Sequence, residues 1–294
     1  LVIELIFSVL SSTLIYVAFK SFSRFNINTL NALIVNYFTA FILGYSIQST
    51  PVNLTKIYEY QWFIPAACLG MLFILIFYLM VMTTEKHGMS VVSVASKMSL
   101  SIPVIFVIFY YGESLSVLKI LGIILALFSV YLVSAKTKDG LKVNKSALLL
   151  PFAVFIGSGI IESSLKVLQN DFVPSIETPV FSASIFLFAA LTGSMVFGVR
   201  FIKHKILFRI KDVIGGIALG IPNYFSIYFI IQALRNPHLD SSIVFVINNV
   251  SIVVLSTIVG ILLFKEHLLR KNKIGIGLAI MSIILVALAN YKLN

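Results

Sequence analysis

Ten apolar stretches, each near the length of a membrane span and separated by short polar links, dominate this chain and leave few folds open to it. A helix needs about 20 apolar residues to cross roughly 30 Å of hydrocarbon. Stretches of that kind lie near 2–19, 27–47, 62–84, 89–111, 115–135, 146–168, 178–199, 213–234, 241–264 and 273–291. The second, third, seventh, eighth and ninth contain no Asp, Glu, Lys or Arg. Of the 294 residues 59% are hydrophobic and 11% charged, with a mean hydropathy of +1.04. Soluble domains are typically about 45–50% apolar and about a quarter charged, and a soluble core this large would require a polar shell that the sequence lacks. The expected fold is an all-α polytopic membrane protein of about ten transmembrane helices, with sequential helices as antiparallel neighbours.

The net charge of +11 does not point to nucleic acid. Basic residues of membrane proteins collect in cytoplasmic loops, and the chain has no Lys/Arg run of the length a nucleic-acid arm needs. The single cysteine, Cys68, lies in an apolar run, so no disulfide framework is expected. The opening LVIELIFSVL lacks the basic start of a secretory signal and merges into a full span; it also lacks an initiating Met.

The two halves of the chain repeat one another. GESLSVLKILGIILALFSVYLV (112–133) aligns with KEHLLRKNKIGIGLAIMSIILV (265–286), pairing Glu113 with Glu266, Leu115 with Leu268, Gly122 with Gly275 and Ala126 with Ala279. Ser129 with Ser282 and Val133 with Val286 complete the run. Upstream, Gly70 pairs with Gly220, Tyr78 with Tyr228, Ser12 with Ser158 and Lys20 with Lys166. The polar link KTKDGLKVNK, 136–145, divides the chain near its middle. The expected organisation is a first repeat over 1–137 (helices one to five), a basic linker over 138–145 and a second repeat over 146–294 (helices six to ten). Five helices per repeat is an odd number, so the second repeat enters the membrane inverted. Many secondary transporters are built this way, with the substrate site near the midplane.

The stretch SVASKMSLSIPVIFVIFYYGESLSVLKILGIILALFSVYLV resembles the first-repeat signature of the drug/metabolite transporter superfamily, in its ten-helix EamA-type branch. The resemblance rests on a fourth helix rich in small residues with a Pro-Val pair (Pro103, Val104), a Gly-Glu turn (Gly112, Glu113) and a fifth helix with spaced glycines. The second repeat keeps Glu266 but has Ser256 where the first has Pro103. What the resemblance implies is a transporter fold; across the family, substrates range over amino acids, drugs and other metabolites.

Charges inside a span cost at least ~2.5–3.5 kcal/mol near the centre, so each needs an explanation. Lys97 is nine residues into a span of 23, with Ser90, Ser93 and Ser101 on the same helical stripe. That stripe reads as the wall of an aqueous cavity, or else as one side of a structural ion pair. Its expected partner is Glu162 in the sixth span, facing the same cavity from the other repeat; a local pair of Glu162 with Lys166 competes. A carboxylate alternating between a lysine and a proton would couple transport to H⁺. Asn36, Asn223, Tyr224, Asn248 and Asn249 are further midspan polar groups that either line the cavity or tie helices together. Pro103 and Pro222, inside spans, are expected gating points. Glu113 and Glu266 are expected to be structural, each favouring the dipole of the helix that follows its turn.

The leading functional expectation is a secondary active exporter of small metabolites or drugs, in a cell (inner) membrane. A lipid-carrier flippase of the same superfamily is the related alternative. An intramembrane enzyme would require clustered acids or paired histidines, and the eleven acids are scattered while His87, His204, His238 and His267 stand singly. No nucleotide loop is present, and neither an organic cofactor nor a metal is expected. The expected partners are a small-molecule substrate, H⁺ and the lipid bilayer, not nucleic acid; monomer and homodimer are both open. Sixteen of the 22 Lys and Arg lie on the side bearing the links after spans one, three, five, seven and nine; five lie on the other side, with Lys97 between. The positive-inside rule then places both termini outside.

Overall fold

The structure, a computed structural model, describes residues 2–47, 58–111, 117–133, 145–174, 177–204, 208–234 and 241–291. These form eleven helices: α1 (Val2–Arg24), α2 (Thr29–Ser46), α3 (Phe63–His87), α4 (Met89–Met98), α5 (Ser101–Tyr111), α6 (Val117–Val133), α7 (Lys145–Asp171), α8 (Thr178–His204), α9 (Ile210–Leu234), α10 (Ser241–Phe264) and α11 (Arg270–Tyr291). There is no strand among the described residues. Seven helices, α1, α2, α3, α7, α8, α9 and α10, are long and apolar enough to cross a membrane. In hydrocarbon every backbone N–H and C=O must bond internally, and a helix does this within one segment.

One expected span differs. Residues 89–111 are two helices, α4 and α5, separated at Ser99–Leu100. Proline supplies the reason. Pro103 has no N–H to offer the Ser99 carbonyl four residues earlier, and its ring crowds that oxygen. The Ser99 carbonyl accepts from Ile102 N instead, at 2.9 Å, a tighter turn. Pro222, by contrast, lies inside α9, which continues past it.

The helices gather into two compact units. The first takes Leu1–Lys20, Leu79–Ile160 and Phe225–Asn294; the second takes Ser21–Tyr78 and Ile161–Tyr224. Each unit draws segments from both sides of the central link, of which 136–144 lies outside the described residues. The first unit has a buried core of Val91, Val94, Met98, Ala126, Val130, Phe155, Val253, Ala279 and Ile283.

In the second unit, helix α9 shows how lipid reverses the usual pattern. Ile210, Ile214, Ile217 and Ile221 are all exposed and lie on one stripe. The opposite stripe carries Gly216 and Gly220 against α2. A β-carbon on Gly216 would run into the Val35 side chain and stand 2.6 Å from the Ala32 carbonyl oxygen. On Gly220 it would stand 2.6 Å from Thr39 Cβ and 2.7 Å from the Asn36 carbonyl oxygen. This is a small-xxx-small seam, where the absence of side chains lets two backbones approach. Apolar stripe out and glycine in is the arrangement for a hydrocarbon solvent.

The seam predicts opposite effects for chemically identical changes. Gly216→Ala gains helix propensity of at most about 1 kcal/mol but meets backbone that cannot give way, so its apparent Tm should fall by about 3–8 °C. Gly277→Ala, in α11 with nothing within 4 Å of the added carbon, should hold or raise Tm. Thermal unfolding in detergent checks both; equal shifts would dissolve the seam argument.

Candidate functional site

The polar groups of the first unit gather along α4. The helix begins after Gly88, whose φ of +99° is a backbone region that suits glycine. Glycine offers no side chain to cap the exposed N–H groups. Glu266, from the turn between α10 and α11, caps them instead. Its Oε1 accepts from Met89 N at 2.7 Å and its Oε2 from the Ser90 hydroxyl at 3.4 Å. Lys20, near the end of α1, places Nζ 3.6 Å from Glu266 Oε1 and donates to the Thr84 carbonyl at 3.3 Å. A β-carbon on Gly88 or on Gly260 would stand 2.7 Å from one of these carboxylate oxygens, so two bare positions make its cradle. The helix that Glu266 serves is therefore α4, not the following α11 that the dipole argument named. The correction follows from chain geometry: the turn folds back on α10, with Glu266 N donating to the Gly260 carbonyl at 3.1 Å, and points the side chain across to α4. Glu113 lies outside the described residues.

Nine of the ten α4 residues are buried, and only Lys97 is half-buried. The serine stripe does not line open water in this conformation. Ser93 donates to the Ser90 carbonyl at 3.1 Å, Ser96 to Ser93 at 3.3 Å, Ser99 to Ser96, and Ser101 to Met98 at 2.8 Å. Each hydroxyl has one proton and spends it on a carbonyl three residues earlier, which satisfies it without any cavity. Tyr16 and Ser96 have their hydroxyl oxygens 2.7 Å apart. Lys97, Met98, Leu100, Ser101, Ser282 and Ile283 line a small cleft of about 10 Å³ at the α4–α5 break, space for roughly one water. Asn248 and Asn249 are buried in α10; Asn248 Oδ1 and the Ser226 carbonyl lie 3.0 and 3.1 Å from the Ser8 hydroxyl, tying α10, α9 and α1 together.

In the second unit, Asn223 Nδ2 donates to Asn36 Oδ1 at 3.2 Å, continuing the glycine seam one turn further. Tyr37, fully buried, packs against Phe77 and Phe186 with ring centroids 5.6 and 6.2 Å away. Tyr224 is half-buried and fills the space beside Gly44. Glu162 is half-buried in α7 and belongs to this unit, whereas Lys97 belongs to the first. The Lys166 side chain lies outside the described residues.

Two polar sites escaped the sequence reading. Asp212 is fully buried at the start of α9 and accepts from Asn28 N at 2.8 Å and Asn31 Nδ2 at 3.1 Å. Arg209 also reaches it with N, Nε and Nη2, at 3.2, 3.3 and 3.1 Å, and Nη2 donates further to the Asn26 carbonyl at 3.1 Å. The start of α2 is thereby fastened to the start of α9. The available signal was Asn28, which caps α2 by accepting from Asn31 N. The other is Trp62, whose Nε1 donates to Glu177 Oε2 at 2.7 Å while its ring stacks on Tyr60. Nothing in either segment alone announces that pair.

No family model matches the chain. A protein of Haemophilus influenzae described as uncharacterized is 29% identical over 281 residues, covering 93% of each chain. A solved structure titled "Crystal structure of protein" superposes with a TM-score of 0.61 at 16% identity, covering 99% of this chain and 98% of that one. This second likeness is one of fold, over the whole length.

Asp212→Ala should leave the Asn28 and Asn31 donors and the Arg209 cation without their acceptor. Removing one partner of such a buried cluster is strongly destabilising, and the apparent Tm should drop by about 5–15 °C. Trp62, the single tryptophan and in the same unit, is the fluorescence reporter; an unchanged melting curve would show that the cluster fastens nothing.

Proposed function

We propose that this protein is a secondary active transporter, an exporter of small metabolites or drugs that works by alternating access. In this reading it is an EamA-type member of the drug/metabolite transporter superfamily with two inverted five-helix repeats. The observation that carries the reading is Lys97. A cation is held half-buried on an otherwise buried helix, beside a cleft, where a span breaks in two. An intramembrane cation is expensive unless it serves a purpose, and interrupted spans are where transporters of this kind bind their substrates. Counting α4 and α5 as one interrupted span, and adding α6 and α11 to the seven long apolar helices, supports a total of ten spans. The paired Glu, Gly, Ala and Ser positions, at one shift of 153 from Glu113/Glu266 to Val133/Val286, support the repeat.

Lys97 and Glu162 are the residues we assign to substrate and H⁺. Metabolomics of a deletion strain identifies the retained compound, and proteoliposomes loaded with it should empty when a proton gradient is imposed. Glu162→Gln should abolish gradient-driven release while leaving the fold intact. Release by Glu162→Gln with an unchanged pH dependence would remove the proton route.

The charge bias orients the chain with the basic side in the cytoplasm and both termini outside. Phe25, just after α1, and Tyr58, before α3, are 62% and 64% exposed and lie on opposite sides in this reading. With Cys68 replaced by Ser, an impermeant thiol reagent on intact cells should label Tyr58→Cys and spare Phe25→Cys. The reverse pattern would overturn the orientation.

A further inference from the structure

We propose that the α10–α11 turn and the outward face of α11 form a binding site for an anionic phospholipid. Lys265, Arg270 and Lys273 hold the phosphodiester, and one acyl chain lies over Gly277. The site rests on the reading of α11 as a span and on nothing in the transport reading. Arg270, Lys273, Ile274, Gly277, Met281 and Ile284 recur at helical spacing, and all are exposed. They make one stripe on α11, cationic where the helix begins and apolar from there on. An anionic phospholipid has the same two parts in the same order, a charged head and then hydrocarbon.

Basic side chains at a membrane interface commonly snorkel to water or to headgroups at large, but three features set this turn apart. First, its charge is not neutralised. Glu266 is the only acid from Ser241 to Asn294, and its carboxylate is turned inward, onto Met89 N and the Ser90 hydroxyl. Second, its donors are unused. Arg209 and Lys211, at the start of α9, give theirs to Asp212 and to the Asn26 and Phe25 carbonyls. The side chains of Lys265, Arg270 and Lys273 bond to nothing among the described residues. Their surroundings are nevertheless fixed: Asn272 is buried, accepts from Leu269 N at 2.9 Å and donates to the Leu132 carbonyl at 3.1 Å, which anchors the turn to the end of α6. Lys265 has a φ of +52°, a left-handed backbone that suits glycine, so a cation is kept where its side chain is a conformational burden. Third, Gly277 faces outward with nothing within 4 Å of where its β-carbon would stand. Close helix packing therefore does not account for the helix propensity lost there. Between Ile274 and Met281 the missing side chain leaves a notch in the apolar stripe. The notch is about 10 Å along the axis from Arg270, within the depth of one lipid leaflet.

The test titrates the detergent-purified chain with phosphatidylglycerol and, separately, with phosphatidylcholine of the same acyl chains, and reads bound lipid by native mass spectrometry. Each cation near an anionic lipid is worth about fivefold, so phosphatidylglycerol should bind about tenfold more tightly or better. Arg270→Gln with Lys273→Gln should abolish that preference. Lys265→Gly removes charge and backbone strain together. It should weaken phosphatidylglycerol binding by about fivefold while holding or raising the lipid-free Tm, which separates lost binding from lost folding. Gly277→Leu fills the notch, leaves every charge in place and should weaken both lipids by about threefold. The control, Arg24→Gln with Lys211→Gln, removes two cations elsewhere and should keep the preference. An equal loss in that control overturns the proposal, because general attraction would then account for the binding. A preference that survives Arg270→Gln with Lys273→Gln, or unchanged binding in Gly277→Leu, overturns it too. Release of phosphatidylglycerol by millimolar inorganic phosphate does the same, since the site would then be one for free phosphate. In a Cys68→Ser background, Met281→Cys should resist an impermeant thiol reagent in proteoliposomes; ready labelling overturns the span reading and the lipid site together. A failed lipid titration with Met281→Cys protected strikes the lipid site alone.

Discussion

Helices in lipid gain nothing by hiding apolar side chains from one another, because the surrounding tails are as apolar as leucine. What joins them must be close approach or a hydrogen bond, and both units depend on this constraint. The α2–α9 seam shows the two means used in sequence along one helix face. Gly216 and Gly220 bring the backbones together, and one turn on, Asn223 bonds to Asn36. Asp212 then fastens the same pair of helices at their amino ends. Remove the glycines and the amides no longer reach; remove the polar ties and the close approach has no fixed register.

The first unit meets the same constraint differently. α4 has no glycine face; Val91, Val94 and Met98 pack into the core, and Glu266 caps its amino end. A carboxylate that accepts from a backbone N–H and faces a lysine is a charge-assisted bond, stronger than the neutral pairs elsewhere in the unit.

Much of the helical layout was legible in the sequence, because apolar runs near 20 residues long leave little alternative. The break in the fourth span was legible in part. Pro103 was identified as a point of bending, but the break falls at Ser99–Leu100, since proline disrupts the bond to the residue four positions before it rather than its own position. The serine stripe was found by its period, but the bonds its hydroxyls make were not legible. Helical spacing places hydroxyls on one face but does not say whether each turns outward or back onto the carbonyl three residues earlier. Glu266 was read from its neighbours in sequence, whereas its partner is Met89, 177 positions away. The Asp212 cluster was missed for the same reason: Asn28 and Asp212 meet only after the chain has folded.

That failure has a common physical origin, and it bears on how such chains should be read. In a soluble protein a charged side chain near a helix end is most cheaply satisfied by the nearest helix or by water. In a bundle of spans every link lies beside the ends of several helices, so the nearest end in space is often remote in sequence. Glycine is the usable marker of such a meeting. Gly88 and Gly260 look unremarkable alone, one at a turn and one inside a helix, yet both are bare toward the same carboxylate. A glycine within a well-formed apolar helix weakens it by about 1 kcal/mol, and where no close helix packing explains it, a side chain arriving from elsewhere does. Gly260 is of this kind: the atoms nearest its missing β-carbon are those of Glu266, not a neighbouring backbone. Such positions, taken together with unassigned acids in the links, narrow the search for long-range polar contacts in a membrane protein before any coordinates exist.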